Sequence, residues 1–184
     1  MLSSKRCLIN GSPNKNGYTM QVAKAIFNDF DTIFNVYDLT INACDDCKVC
    51  HYSLNCKFDD DMSKVLDTLN NCDHLVLVSP IYFGSLSDQL MKLINRFQVL
   101  FEQKFTHQKA IIKLPKLTMI STCAAKDEGM FDGAKLTLKI LENLFDVKEV
   151  NKLFLTNTDM IDDICQVYQE QIYQFKKSIN PQSD

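Results

Sequence analysis

Leu75-Val76-Leu77-Val78 is an unbroken apolar run with no polar alternation. A strand of that kind must be covered on both faces, which is the situation of a strand inside a parallel sheet flanked by helices. The rest of the chain fits that demand. Its patterning predicts strands over Leu8 to Asn10, Thr32 to Leu39, Leu75 to Val78, Leu117 to Thr122 and Val150 to Leu155. Helical spacing fills the intervals: Met20 to Asp29, then Met62, Val65, Leu66 and Leu69, then Leu86 to Phe101, then Ala134, Leu138, Leu141 and Phe145. A final helix is predicted along Ile161, Ile164, Tyr168, Ile172, Phe175 and Ile179. The run Asp59-Asp60-Asp61 is read as the acidic N-terminus of the second helix. Asn42 to Lys57 is a cysteine-rich loop, and Ser79 to Ser85 is a turn-rich loop.

Five strands, each followed by a helix, require right-handed crossovers and helices on both faces of a parallel sheet. The predicted fold class is α/β: a flavodoxin-like three-layer sandwich with a five-stranded parallel sheet in the order 2-1-3-4-5. No repeat or linker divides the chain, so residues 1–184 are expected to form one domain. In that strand order a ligand lies at the carboxyl ends of the first and third strands, where the winding reverses.

Both loops at that point carry chemistry. Gly11-Ser12-Pro13-Asn14-Lys15-Asn16-Gly17-Tyr18-Thr19 joins the first strand to the first helix. A turn of this composition presents backbone N–H groups and the positive end of a helix dipole, which suits a phosphate. It lacks the Gly-Lys-Ser/Thr of a nucleotide-triphosphate loop and the Gly-x-Gly-x-x-Gly of a dinucleotide site. After the third strand, Ser79-Pro80-Ile81-Tyr82-Phe83-Gly84 offers an aromatic pair and flexible backbone. An isoalloxazine ring needs a flat apolar support and backbone N–H groups for its carbonyl edge, and this loop can supply both.

Composition narrows the partners. A formal net charge of −3 offers no basic field for nucleic acid. No apolar run approaches the roughly 20 residues of a membrane span. The N-terminal residues lead straight into a strand without an apolar signal region, so a cytoplasmic protein is expected. Its eight cysteines then read as thiols, metal ligands or redox groups. Cys44, Cys47 and Cys50 are spaced by three, with Cys56 close behind. This compact run suits a [4Fe–4S] cluster, a tetrahedral zinc, or a loop of reduced thiols, and spacing leaves the three open. His51 lies within the loop. Cys7 and Cys165 read as small buried hydrophobes, and Cys72, just before the third strand, as structural. No Ser-His-Asp or Gly-x-Ser-x-Gly arrangement supports a hydrolase.

Three stretches together carry a family resemblance: Gly11-Ser12-Pro13 with Gly17 and Thr19; Cys44-x-x-Cys47-x-x-Cys50 with Cys56 and Asp60-Asp61-Met62; and Ser79 to Ser85 running into Ile94-Asn95-Arg96. The chain resembles the NAD(P)H-dependent FMN reductases, and among them the multimeric iron–sulfur flavoproteins. The resemblance covers about the first hundred residues in motifs and the remainder in element order.

It implies an oxidoreductase that passes hydride from NAD(P)H through bound FMN to a small acceptor: a quinone, a nitro or azo compound, or free flavin. The alternative it implies is an iron–sulfur flavoprotein electron carrier with no small substrate of its own. Ser12, Asn14, Asn16, Gly17, Tyr18 and Thr19 would surround the FMN phosphate. Pro80, Ile81, Tyr82, Phe83 and Gly84 would line the ring, and Ser121, Thr122 and Cys123 would reach its other edge. Cys44, Cys47, Cys50 and Cys56 would hold a cluster. No acid–base residue is implied, and the expected assembly is a homodimer or homotetramer. The sequence departs from the family at Asn14, where a basic residue is usual, and Lys15 is expected to supply that charge. It departs also at Tyr18 and Asn95, which stand for Asn and Asp, and at Met91, which stands for Lys.

Overall fold

The computed structural model describes residues 4–109 and 112–179. Its strands are β1 (Arg6–Asn10), β2 (Thr32–Asn35), β3 (His74–Tyr82), β4 (Ser85–Leu86), β5 (Lys116–Thr122) and β6 (Glu149–Leu155). The helices are α1 (Tyr18–Ile26), α2 (Val49–Tyr52), α3 (Met62–Leu69), α4 (Asp88–Asn95), α5 (Gln98–Phe101), α6 (Asp132–Leu144), α7 (Ile164–Val167) and α8 (Gln169–Ile179). The parallel strands run in the order β2-β1-β3-β5-β6, and β4 pairs antiparallel with β3. With that two-residue strand set aside, this is the expected flavodoxin-like order.

The apolar run of β3 lies between β1 and β5, and Leu75 to Val78 are fully buried. Alternate residues feed two cores. Cys7, Ile9, Leu75, Leu77, Leu117 and Met119 pack with α3, α4 and α6. Leu8, Val76, Val78 and Ile120 pack with α1, α7 and α8. Two layers of helices therefore cover one sheet, and the loops at its carboxyl edge are free to carry the site.

Four elements differ from expectation. β3 continues through Ser79-Pro80-Ile81-Tyr82, so the turn there is only Phe83-Gly84. A proline is tolerated because β1 ends at Asn10, opposite Val78, and no strand on that side needs the missing N–H. β2 stops at Asn35, and Val36–Asp38 coil into one 3-10 turn that buries Val36. The predicted final helix is two helices interrupted at Tyr168, whose hydroxyl donates to the carbonyl of Thr156; Ile161 lies outside both. The helix expected over Leu86 to Phe101 breaks at Arg96 and Phe97 and then loosens into a wider turn over Glu102–Thr106.

Candidate functional site

The β1–α1 turn is built by its own side chains. Asn10 Oδ1 accepts from the Ser12 N–H, Ser12 Oγ from the Asn14 N–H and Asn14 Oδ1 from the Asn16 N–H. Gly17 precedes α1 and offers no side-chain cap. A Cβ there would meet Asn14 O at 3.1 Å and Ser12 Oγ at 3.2 Å, so glycine keeps the cradle open. Among the described residues no protein acceptor serves the N–H groups of Tyr18 and Thr19. Thr19 is 2% exposed and its hydroxyl also has no partner. Unpaired buried donors at a helix N-terminus cost stability unless an anion meets them.

The Lys15 ammonium lies 2.6 Å from Asp38 on the 3-10 turn after β2. Tyr18 turns its hydroxyl to the carbonyl of Ile161 and so ties α1 to the chain that follows β6.

β3 and β5 bring the other predicted residues to the same edge of the sheet. Ser79 pairs with Ser121, and Pro80 with Thr122. Ser121 is fully buried and its Oγ is unpartnered. The Cys123 thiol donates to Ala125 O at 3.3 Å, and burial pushes its pKa up. Ile81 is buried, whereas Tyr82 is exposed and Phe83 is 105% exposed. Phe83 and Gly84 both have positive φ, +50° and +75°, the signature of a two-residue hairpin turn of type I′. Beside them Tyr37 donates to Asp88 Oδ1 at 2.9 Å. Burial and that carboxylate push Tyr37 up to about 12, so it stays a neutral donor.

The cysteine loop forms a second centre. Cys44, Cys47, Cys50 and Cys56 all line one small cavity with His51, Arg96 and Glu102. Cys50 and His51 ride on α2, which follows left-handed residues Asp46 and Lys48. His51 Nδ1 lies 3.1 Å from Glu102 Oε2, and His107 Nε2 lies 3.2 Å from Cys50 O. Burial and Glu102 push the Cys50 thiol up. Among the described residues no three His, Cys, Asp or Glu side chains stand close enough to hold a metal ion, so the thiols share a cavity without being drawn together. The remaining cysteines are packing thiols. Cys7 and Cys72 are buried, and burial with the Cys72 neighbour raises Cys7 to about 12.

Sequence reasoning missed the side chain that organises this loop. Arg96 Nη1 lies 2.6 Å from Asp60 Oδ2, and their side chains are 2% and 3% exposed. The acidic run of Asp59 to Asp61 predicts a helix start, which accounts for only part of what Asp60 does. Its Oδ1 does accept the Met62 N–H at 3.1 Å, but its main partner is Arg96. Burial opposes ionisation, but the Arg96 and Asn42 hydrogen bonds outweigh it and lower Asp60 to about 2. The available signal was a carboxylate run and an arginine in two separate stretches of the family resemblance, with nothing to show that they meet.

This is the architecture of a flavodoxin-like flavoprotein, with an anion cradle and an aromatic hairpin where the strand order reverses. The chain belongs to the NADPH-dependent FMN reductase family, whose model matches residues 5–159. It is similar to an iron–sulfur flavoprotein of Methanocaldococcus jannaschii, 32% identical over 94 residues, covering 48% of this chain and 49% of that one. The chain spans about half the length of the curated relatives it matches. In fold it resembles an NAD(P)H:quinone oxidoreductase of Methanothermobacter marburgensis, with a TM-score of 0.69 at 12% identity over 96% of both chains. It also resembles an FMN-dependent NADH-azoreductase of Bacillus anthracis solved with FMN, with a TM-score of 0.67 at 14% identity over 98% and 100% of the two chains. No helix of the described residues is long and apolar enough to cross a membrane.

Proposed function

We propose that this chain is an FMN-dependent reductase that oxidises NAD(P)H and reduces a small planar acceptor: a quinone, a nitro or azo compound, or free flavin. The observation that carries the reading is the uncapped start of α1, where the buried Thr19 hydroxyl and two N–H groups await an anion. When bound there, FMN supplies hydride and electron chemistry that no side chain offers. Ser12, Asn14, Asn16, Gly17, Tyr18 and Thr19 hold the phosphate, largely through backbone. Pro80, Ile81, Tyr82, Phe83 and Gly84 support the ring, and Ser121, Thr122 and Cys123 close the sheet edge beside it. Backbone N–H groups near the ring offset the negative charge of its reduced form. The test is FMN titration of the purified full chain, followed by anaerobic NADH and NADPH oxidation with a benzoquinone acceptor. Stoichiometric binding with turnover upholds the reading; a protein that refuses FMN overturns it.

A second reading concerns the cysteine loop. We infer that Cys44, Cys47, Cys50 and Cys56 form one donor set, suited to a [4Fe–4S] cluster or a thiophilic metal ion. Its support is that all four line one cavity. A loaded loop would favour electron relay between partners over small-molecule turnover. Iron and sulfide analysis of protein purified without oxygen tests it, and a metal-free protein that resists anaerobic reconstitution overturns it. Exposed Leu136 and Ile140 on α6, with Phe101 and Phe105, support a homodimer or homotetramer, which light scattering tests. Free thiols at all eight cysteines fit a reducing, cytoplasmic setting.

A further inference from the structure

One buried side chain closes the cysteine loop at its base. Arg96 follows α4, and its Nη1 donates to Asn42 O at 2.9 Å and to Asp60 Oδ2 at 2.6 Å. The same Asp60 Oδ2 accepts the Asn42 N–H at 2.9 Å and the Asn42 side-chain amide at 3.1 Å. Residues 42 and 60 bracket the cysteine-bearing segment, so Arg96 and Asp60 bolt its two ends together. From inside that bracket Arg96 Nη2 donates to Cys56 Sγ at 3.4 Å, and the ring of Phe58 lies 5.0 Å from the guanidinium. Arg96 Nε remains a buried donor without a protein acceptor. Cys44 and Cys47, by contrast, are exposed.

We propose that Arg96 is the positioning residue of the cysteine site: it fixes Cys56 as the immobile thiol donor onto which Cys44, Cys47 and Cys50 close around a thiophilic cation or cluster. This rests on the reading of the four cysteines as one donor set. A guanidinium is suited to the role because it stays charged and offers several N–H donors in a fixed plane. It can hold a carboxylate, a carbonyl and a sulfur at once, and its charge offsets one of the negative charges that four thiolates bring together. N–H groups donated to ligating sulfurs also set the reduction potential of an iron–sulfur centre.

Through α4, Arg96 also ties the loop to the carboxyl end of β3. α4 is capped by Ser87, whose N–H donates to Ser79 Oγ at 3.0 Å on β3, and it ends at Arg96 of the clamp.

The test uses Co(II) alone as probe, added without oxygen to the metal-free full chain, with thiolate-to-cobalt charge-transfer absorption as the readout. Wild type, R96M, C56S and the R96M/C56S double variant are compared, with FMN fluorescence quenching followed on the same samples. The expected result is Co(II) affinity reduced about tenfold or more by R96M, the size of effect that groups supporting metal ligands usually show. C56S should produce a loss of similar size, and the double variant no further loss. R96K keeps the charge but cannot reach all three partners, and it should fall with R96M; it carries the comparison if R96M does not fold. A wild-type spectrum and affinity in R96M overturn the proposal. So do additive losses in the double variant, because Arg96 would then act on the scaffold and not through Cys56. Wild type without thiolate bands overturns the donor-set reading itself, and the FMN signal reports separately on the flavin site.

Discussion

His74 Nε2 and Thr118 Oγ1 lie 2.8 Å apart across the adjacent strands β3 and β5, at the end of the sheet opposite the cradle. The imidazole is buried, with Phe27 edge-on at 5.4 Å. Burial, and then the charges of Arg6 and Lys116, lower its pKa from 6.5 to about 4, while Glu149 pulls the other way. The folded state thus prefers neutral His74, and the unfolded chain takes up the proton first as pH falls. The stabilisation is complete above about pH 6.5 and is lost as pH drops towards 4, by about 3 kcal/mol in all. Urea unfolding at half-unit pH steps should show stability falling over that window. In H74Q the fall should be absent, whatever the variant's stability at pH 7.

The Arg96–Asp60 pair works in a lower window. Asp60 is lowered to about 2, so its stabilisation is present above about pH 4 and disappears between 4 and 2, amounting to about 2 kcal/mol. Removing one partner leaves an uncompensated buried charge, which costs about 3–5 kcal/mol. D60A and R96A should therefore each be strongly destabilised at pH 7. In the double variant the two losses should not add. Additive losses would mean that the two side chains do not depend on each other.

The sheet and most helices were legible because burial on both faces leaves a run such as Leu75 to Val78, and because Leu90, Leu93, Leu138 and Leu141 recur at helical spacing. Ser79 and Pro80 misled. Their types signal a turn, yet β1 ends beside them and leaves Pro80 without a strand that needs its N–H. The turn between β1 and α1 was legible because it is local, a matter of residues 11–19 and their own hydrogen bonds. The clamp was not, because Arg96 meets Asn42 and Asp60 from 54 and 36 positions away. Local patterns record φ/ψ and amphipathicity; they carry no record of which buried charge meets which. Lys15 shows the same limit, since its partner Asp38 comes from the turn after another strand.

Thr19 offers a direct check on the cradle. Its hydroxyl is buried and unpaired in the protein alone, so T19V removes a desolvated group and should leave the apo protein as stable or slightly more so. A hydrogen bond to a charged phosphate is worth about 1.5–3 kcal/mol, so FMN should bind roughly ten- to a hundredfold more weakly. S121A at the sheet edge should likewise spare the apo protein. Isothermal titration with FMN, beside thermal unfolding of the apo forms, separates the two effects. Unchanged FMN affinity in T19V would remove the cradle from the phosphate site.

Phe83 holds a position that the backbone alone would assign to Asn. Both turn residues have positive φ, and an aromatic side chain in the left-handed region is strained, whereas Asn-Gly is the favoured pair for this hairpin. The strain is not offset by burial, because the ring is fully exposed. It is tolerable because the turn is pinned from below: a Cβ on Gly133, at the start of α6, would lie 2.5 Å from Gly84 O. On the proposed function, a strained, solvent-facing aromatic in the loop that supports the flavin ring would extend that support outward to the planar acceptor or nicotinamide. F83N should then raise stability by about 0.5–1 kcal/mol through relief of backbone strain, visible as a Tm a few degrees higher. At the same time kcat/KM for a quinone acceptor should fall while FMN affinity stays within about twofold, since the phosphate contacts that dominate binding are untouched. G133A should do the opposite, displacing the hairpin and lowering Tm. If F83N gains stability and keeps full turnover, the ring is not a substrate platform, and the strain at Phe83 belongs to the turn alone.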